Sequence, residues 1–205
     1  MVRQLNYVRR RARGGRGLIP PNPKQWDNEH NGLDLRDALG LSPEVRLQHE
    51  RAFELLPNVG VVAHGAVPMA QEQIEHFRGA GSAAWSGIGI PLPDGGALVV
   101  FNDSHPPNRI RATLMEEFFH LWLGHPATTV RVYQDGASRT FDRRVESEAY
   151  GSGAAALVPY GTLRQRLSRG ESVRAIAEHY EVSRDLVLFR IKVTRLYGSI
   201  RRRRQ

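Results

Sequence analysis

The sequence predicts an α+β fold, and three observations support this. Apolar runs with helical spacing alternate with short β-rich runs, the short runs come in pairs around turn residues, and the spacing of βαβ units does not occur. A small antiparallel or mixed sheet is therefore expected. The chain has 205 residues, 40% of them hydrophobic, which is enough for one substantial core, or for one core and a small appendage.

The first helices and the first strand are predicted from residues that typically begin or end such elements. Ser42 and Pro43 predict the start of a helix, which Pro57 ends. The run NVGVVAHG is short, β-rich and bounded by turn residues, so it predicts a strand. The next run, PMAQEQIEHFRG, predicts a helix that is closed by Gly79 or Gly81.

Two hairpins and two packed helices are predicted next. One hairpin joins SAAWSGIGIPL and ALVVFND through PDGG, and the other turns at Asp135-Gly136. Between them LMEEFFHLWLGH, residues 114–125, predicts a helix buried on most sides. The helix predicted for VESEAYGSGAAALVP should approach it closely, because its residues are small: Gly151, Gly153, Ala154, Ala155 and Ala156.

The C-terminal segment predicts two short helices joined by a tight turn. Ser172 can cap the first helix and Ser183 the second, and both helices carry apolar stripes. This pattern resembles a helix-turn-helix, which either contacts DNA or supports the core as a helical buttress. We therefore divide the chain into a basic N-terminal arm (1–25), a main domain (26–168) and a helix-turn-helix-like segment with a basic tail (169–205).

The positive charge is concentrated at the two ends. Residues 1–26 carry seven Lys or Arg and no acid, and the residues after Asp185 carry seven more and no acid. Removing these 14 from the 29 basic residues leaves 15 against all 21 acidic residues, so residues 27–185 carry a net charge of −6. Basic ends can contact phosphate backbones, and the tail includes Arg201, Arg202, Arg203 and Arg204.

Composition also limits the compartment and the metal chemistry. The chain has no cysteine, so a bound zinc ion would need nitrogen and oxygen ligands. No run approaches the roughly 20 apolar residues that span a bilayer, and no apolar segment follows the Arg-rich start. We expect a soluble, cytoplasmic protein with no membrane partner.

The helix of residues 114–125 gathers its polar side chains on one narrow wedge. With about 100° of rotation per residue, Arg109, His120, Thr113 and Glu117 fall within roughly 100° of Glu116. The rest of the helix is mainly apolar, so the wedge is expected to form the floor of a cleft. Charges placed there must be paired or must bind a metal.

The spacing within the wedge suits a metal. Glu116 and His120 are four residues apart, so a carboxylate oxygen and an imidazole nitrogen can reach the same ion. Zincins place two histidine ligands at these positions in HExxH, and the glutamate after the first histidine acts as general base. Here the pattern is EExxH. The alternative is an internal salt-bridge network with Arg109 or Arg111.

A family resemblance extends beyond this helix. RIRATLMEEFFHLWLGH, VESEAYGSGAAALVP and the upstream FNDSHPPNR are similar to segments of the ImmA/IrrE metallopeptidases, which have a zincin-like core. The resemblance implies Glu117 as the general base and three metal ligands, with Glu146 as the alternative for the third. The three ligands that the resemblance implies are Glu116, His120 and Glu148.

The same resemblance implies further roles and a function. His125, Arg109 and Thr113 are expected to support the ligands or to face the substrate. The function implied is a zinc-dependent endopeptidase that cleaves or regulates a helix-turn-helix repressor. Because Glu116 replaces the first histidine, the metal can instead be another divalent ion. The alternative is an inactive pseudo-peptidase without metal, which binds DNA or a repressor through its basic ends.

Overall fold

The structure, a computed structural model, describes residues 19–68, 70–79, 81–126, 130–133, 136–139 and 142–198. Within these residues the fold is α+β, as predicted. The helices are α1 (Trp26–Ala38), α2 (His49–Phe53), α3 (Gln71–Arg78), α4 (Pro107–Trp122), α5 (Arg143–Leu157), α6 (Tyr160–Arg169), α7 (Val173–Tyr180) and α8 (Arg184–Val193). The strands are β1 (Val59–Ala63), β2 (Gly87–Pro91), β3 (Ala97–Phe101), β4 (Val130–Tyr133) and β5 (Gly136–Arg139).

The main sheet is mixed and has three strands in the order β1-β3-β2. β1 runs parallel to β3, with Val61 opposite Val99, and β2 runs antiparallel to β3, with Gly89 opposite Val99. The hairpin of β2 and β3 is confirmed, and β2 lies at an edge of the sheet. β4 and β5 pair antiparallel as a second hairpin, and Asp135 of its predicted turn lies outside the described residues.

The central helix pair is packed through small residues. A Cβ added to Gly153 of α5 would lie 3.1 Å from the carbonyl of Met115 on α4, so the predicted close approach of α5 to α4 is found there. On another side of α5, a Cβ added to Gly32 of α1 would lie 2.6 Å from the backbone nitrogen of Ala156. Helix α5 therefore lies between α4 and α1, and the sequence patterns did not predict α1.

Helix α2 is shorter than predicted, because it begins at His49 and not near Ser42. The buried guanidinium of Arg36 donates hydrogen bonds to the backbone carbonyls of Ser42, at 2.9 Å, and Val45. Those carbonyls would otherwise accept the first hydrogen bonds of a helix. Helix α3 agrees with its prediction, because Gly79 follows its last residue.

The C-terminal helices are capped as predicted. The side chain of Ser172 accepts a hydrogen bond from Ala175 N, and that of Ser183 accepts one from Leu186 N. Helices α7 and α8 are joined by residues 181–183, and their buried side chains belong to the same core as those of α4 and α5. A domain boundary at residue 168 stays a prediction.

The basic ends are described only in part. Residues 1–18 of the predicted arm and residues Arg201 to Arg204 of the tail lie outside the described residues. Among the helices that are described, none combines the length and apolar character that crossing a bilayer requires.

Candidate metal centre

The loop between β3 and α4 fixes where the central helix begins. The buried side chain of Asn102 accepts hydrogen bonds from Ser104 N, at 3.1 Å, and from Ser104 Oγ, at 2.6 Å. His105 is also buried, and its Nε2 lies 3.0 Å from the carbonyl oxygen of Ser82. The His105 contact ties the FNDSHPPNR segment to the chain before β2, just ahead of the start of α4 at Pro107.

Two glycines allow the edge strand β2 to lie directly against α4. A Cβ on Gly87 would lie 2.6 Å from Cγ2 of Thr113, and a Cβ on Gly89 would lie 3.3 Å from Oε2 of Glu117. Thr113 is buried under this contact. The carboxylate of Glu117, the predicted general base, is therefore placed next to the edge strand of the sheet.

Three potential ligands converge beside Glu117. One ligand atom each from Glu116, His120 and Glu146 can be chosen so that all three lie within 4.8 Å of one another. Nε2 of His120 is 3.5 Å from Oε2 of Glu146, and both side chains are less than one-fifth exposed. One imidazole nitrogen and two carboxylate oxygens form a donor set that suits zinc or another divalent ion. The residues present therefore fit a metal.

The structure brings Glu146, the alternative third ligand, to this group. Glu148, which the family resemblance favoured, lies with its Oε2 3.5 Å from Nε2 of His125. The reason is the helical phase of α5. Glu146 and Gly153 are seven residues apart and fall about 20° from each other around the helix. Since Gly153 touches the backbone of α4, Glu146 shares the side of α5 that faces α4. The spacing from Gly153 therefore explains the position of Glu146 once the contact of Gly153 with α4 is known.

The three residues that were expected to support the ligands or to face the substrate lie in different places. His125 lies next to the candidate ligand His120, and the Nδ1 atoms of the two rings are 3.2 Å apart. Arg109 is exposed and donates a hydrogen bond to Oγ of Ser86, just before β2. The other arginine of this helix, Arg111, pairs with Glu181 at 2.8 Å. Of the three predicted supporting residues, His125 thus lies beside the candidate ligand His120, while Thr113 and Arg109 lie along β2.

Tyr150 is a neighbour of the site that the sequence patterns missed. Burial raises the pKa of its hydroxyl, and the negative charge of Glu116 raises this pKa further. Tyr150 follows Glu146 by four residues, so the two lie one turn apart on α5. The raised pKa keeps the hydroxyl protonated and able to donate a hydrogen bond near the carboxylates.

Comparison with known families gives one match. The model of the IrrE N-terminal-like domain, a peptidase family, matches residues 67–192, which is more than half of the chain. The chain belongs to the IrrE N-terminal-like family. The matched range includes α4 and α5, so the predicted resemblance is confirmed and the domain is metallopeptidase-like. Comparisons with curated proteins and with solved structures give no significant match.

Proposed function

We propose that this protein is a metal-dependent endopeptidase in which Glu116, His120 and Glu146 hold one divalent ion. The convergence of these three side chains is the observation that carries the proposal. Glu117 is adjacent to the first ligand in sequence and lies beside the edge strand. It is the general base of the proposed reaction. Membership of a peptidase family supports a protein substrate.

In the proposed peptide hydrolysis, the metal ion and the side chains of the protein have different tasks. A bound zinc ion would supply a Lewis acid and would make water more acidic. Glu117 accepts the proton of the attacking water and can return it to the leaving amine. With two carboxylates in place of one, the site carries one more negative charge than a site with two histidines. This favours a less acidic water or an ion that prefers oxygen ligands.

The edge strand offers a place for the substrate. Among the described strands, β2 pairs only with β3, so an extended peptide can add to its other side through backbone hydrogen bonds. Gly87 and Gly89 place the strand against Glu117, so a peptide beside β2 would run near the general base. From the family resemblance, we propose a helix-turn-helix repressor as the substrate.

The second candidate is a regulator without peptidase activity. The substitution of histidine by Glu116 on the catalytic motif favours it, and so does the charge of α8 and the residues after it. Arg184, Lys192 and Arg195 are exposed there, where they can contact phosphates. Such a protein would bind DNA or a repressor and would keep the EExxH helix only for packing.

Comparison of protein N-termini tests the two candidates and identifies substrates. Cells producing the wild-type protein are compared with cells producing Glu117→Gln, which keeps the metal ligands and removes the base. An endopeptidase predicts new N-termini that appear only with the wild-type protein. Identical N-termini, together with a metal-free purified protein whose DNA binding weakens with salt, would favour the regulator.

A further inference from the structure

We propose that Glu148 and His125 form a positioning pair that orients His120 for metal binding. The pair acts through His120 and does not itself hold the ion. This inference rests on the proposed metal site and assigns a task to the two residues that the site does not use as ligands.

The contacts form a continuous line of side chains. Oε2 of Glu148 lies 3.5 Å from Nε2 of His125, and Nδ1 of His125 lies 3.2 Å from Nδ1 of His120. The two imidazole rings meet edge to face, with centroids 5.1 Å apart and an angle of 74° between their planes. On its other side, Nε2 of His120 lies 3.5 Å from Oε2 of Glu146. The two nitrogens of His120 therefore face the pair and the ligand group respectively.

The end of α4 holds His125 in this position. Gly124 has a positive φ of 68° and follows the C-cap residue Leu123. The backbone nitrogen of His125 donates to the carbonyl of His120 at 2.9 Å, and that of Gly124 donates to the carbonyl of Leu121 at 3.1 Å. This pair of bonds is a Schellman motif, which turns the chain back over the last turn of the helix. It places the His125 ring beside His120.

The placement of the protons on the two imidazoles gives this line of contacts a direction. The side chain of His125 is 9% exposed, whereas that of Glu148 is 35% exposed. A neutral imidazole has one donor and one acceptor nitrogen. With the proton of His125 on Nε2, which faces the Glu148 carboxylate 3.5 Å away, His125 Nδ1 accepts from His120 Nδ1–H. This arrangement leaves the lone pair of His120 Nε2 directed towards Glu116 and Glu146.

This arrangement meets a general requirement of metal-binding histidines. Such residues usually donate their second ring N–H to a carboxylate, a carbonyl or water, which fixes the tautomer and the ring orientation. In this protein the acceptor is a second imidazole, and Glu148 in turn orients that imidazole. Glu148 is thus linked to the proposed metal site through His125 and His120, although it is not a ligand itself.

A double-mutant cycle on zinc affinity tests the positioning pair. Zinc affinity is measured by competition with a chromophoric chelator for the wild-type protein, His125→Phe, Glu148→Gln and the double variant. Each single substitution is expected to lower the affinity about 10–100-fold. The double variant should match His125→Phe alone, because Glu148 acts only through His125. Both substitutions keep the side-chain size, and circular dichroism verifies folding.

A matched control is present in α2, where Nε2 of His49 lies 3.3 Å from Oε1 of Glu50. Glu50→Gln removes a carboxylate from another histidine and should leave the zinc affinity unchanged. A second readout is the Nδ1–H signal of His120 in nitrogen-15 NMR of the zinc-loaded protein. The signal should exchange slowly with water in the wild-type protein and rapidly in His125→Phe.

Two results would overturn the inference without affecting the proposed function. In the first, zinc binds the wild-type protein but the single variants bind it equally well. In the second, Glu148→Gln lowers the affinity further in the His125→Phe background, which would mean that Glu148 attracts the ion directly. A wild-type protein that takes up no zinc at all would overturn the proposed zinc site and the positioning pair together.

Discussion

At the scale of single residues, Glu116 is the residue of the proposed metal site that would most affect the acidity of a bound water. Zincins have a neutral histidine in this place, and a carboxylate reduces the net charge that the ion presents to water. The wedge of α4 keeps Glu116 one turn from His120, so the geometry accepts either ligand type. We therefore expect the residue at position 116 to affect the reactivity of the site more than it affects the fold of the chain.

Glu116→His should raise the rate of peptide hydrolysis. A neutral ligand leaves more positive charge on the ion, and we expect a rate increase on the order of tenfold, equivalent to about 1.4 kcal/mol of barrier. The rate is measured on a substrate identified from new N-termini, at equal metal occupancy. Glu116→Gln is the control and should lose metal. A slower Glu116→His protein with full occupancy would contradict the assigned ligand role.

The sequence predicts which site residues come together more readily when they lie on one helix than when they lie on two helices. Glu116, Glu117 and His120 were predicted together because helical rotation fixes their relative angles. Choosing between Glu146 and Glu148 requires the phase of α5 against α4. That phase is set by the contact of Gly153 with the α4 backbone, which local sequence patterns do not reveal.

At the scale of secondary-structure elements, the close contact of β2 with α4 positions Glu117, the proposed general base. Gly89→Val would place a branched side chain where Oε2 of Glu117 lies, 3.3 Å from the ideal Cβ. We expect proteolysis to fall about 100-fold, the effect of misplacing a catalytic group by about 1 Å. Metal content should stay unchanged, because the ligands lie on α4 and α5.

Gly60→Val on β1 is the matched control for this substitution. Its Cβ would meet the flexible end of Leu98 on the neighbouring strand and not a residue of the site. Rates for both variants are compared with metal content measured on the same samples. Equal losses of activity in the two variants would show that the effect is a general disturbance of the sheet.

The sequence predicted elements whose buried faces are apolar and missed one whose buried face is polar. Helix α4 and the hairpin of β2 and β3 follow from their apolar patterns. Helix α1 buries the polar residues Asn28, Glu29 and Arg36, so hydrophobic periodicity gives no signal for it. Glu29 and Arg36 bond to residues far along the chain. The same Arg36 donates hydrogen bonds to backbone carbonyls of the non-helical segment that precedes α2.

At the scale of the whole molecule, a buried ion pair joins α1 to α8, near the two ends of the described residues. Arg190 of α8 pairs with Glu29 of α1, and both side chains are fully buried. Glu29 also accepts a hydrogen bond from the backbone nitrogen of Tyr160 at 2.7 Å, and Arg190 Nε donates to the carbonyl of Val158 at 3.0 Å. The C-terminal segment is thereby attached to the metallopeptidase-like core.

Arg190→Leu should destabilise the protein strongly. It leaves the carboxylate of Glu29 buried without its counter-charge, which lowers the free energy of unfolding by about 3–5 kcal/mol. Urea unfolding measures the change. Arg174→Leu breaks an exposed pair with Glu178 and should leave stability nearly unchanged. Equal effects of the two substitutions would contradict a structural role for the buried pair.

The central claim, a metal held by Glu116, His120 and Glu146, is tested most directly by the metal content of the purified protein at saturating zinc. The measurement is made on the wild-type protein, Glu146→Gln and Glu148→Gln. We expect about one ion per chain in the wild-type protein. Glu146→Gln should lose the ion, and Glu148→Gln should keep it. A wild-type protein without metal, or loss of the ion in Glu148→Gln but not in Glu146→Gln, would contradict the assignment.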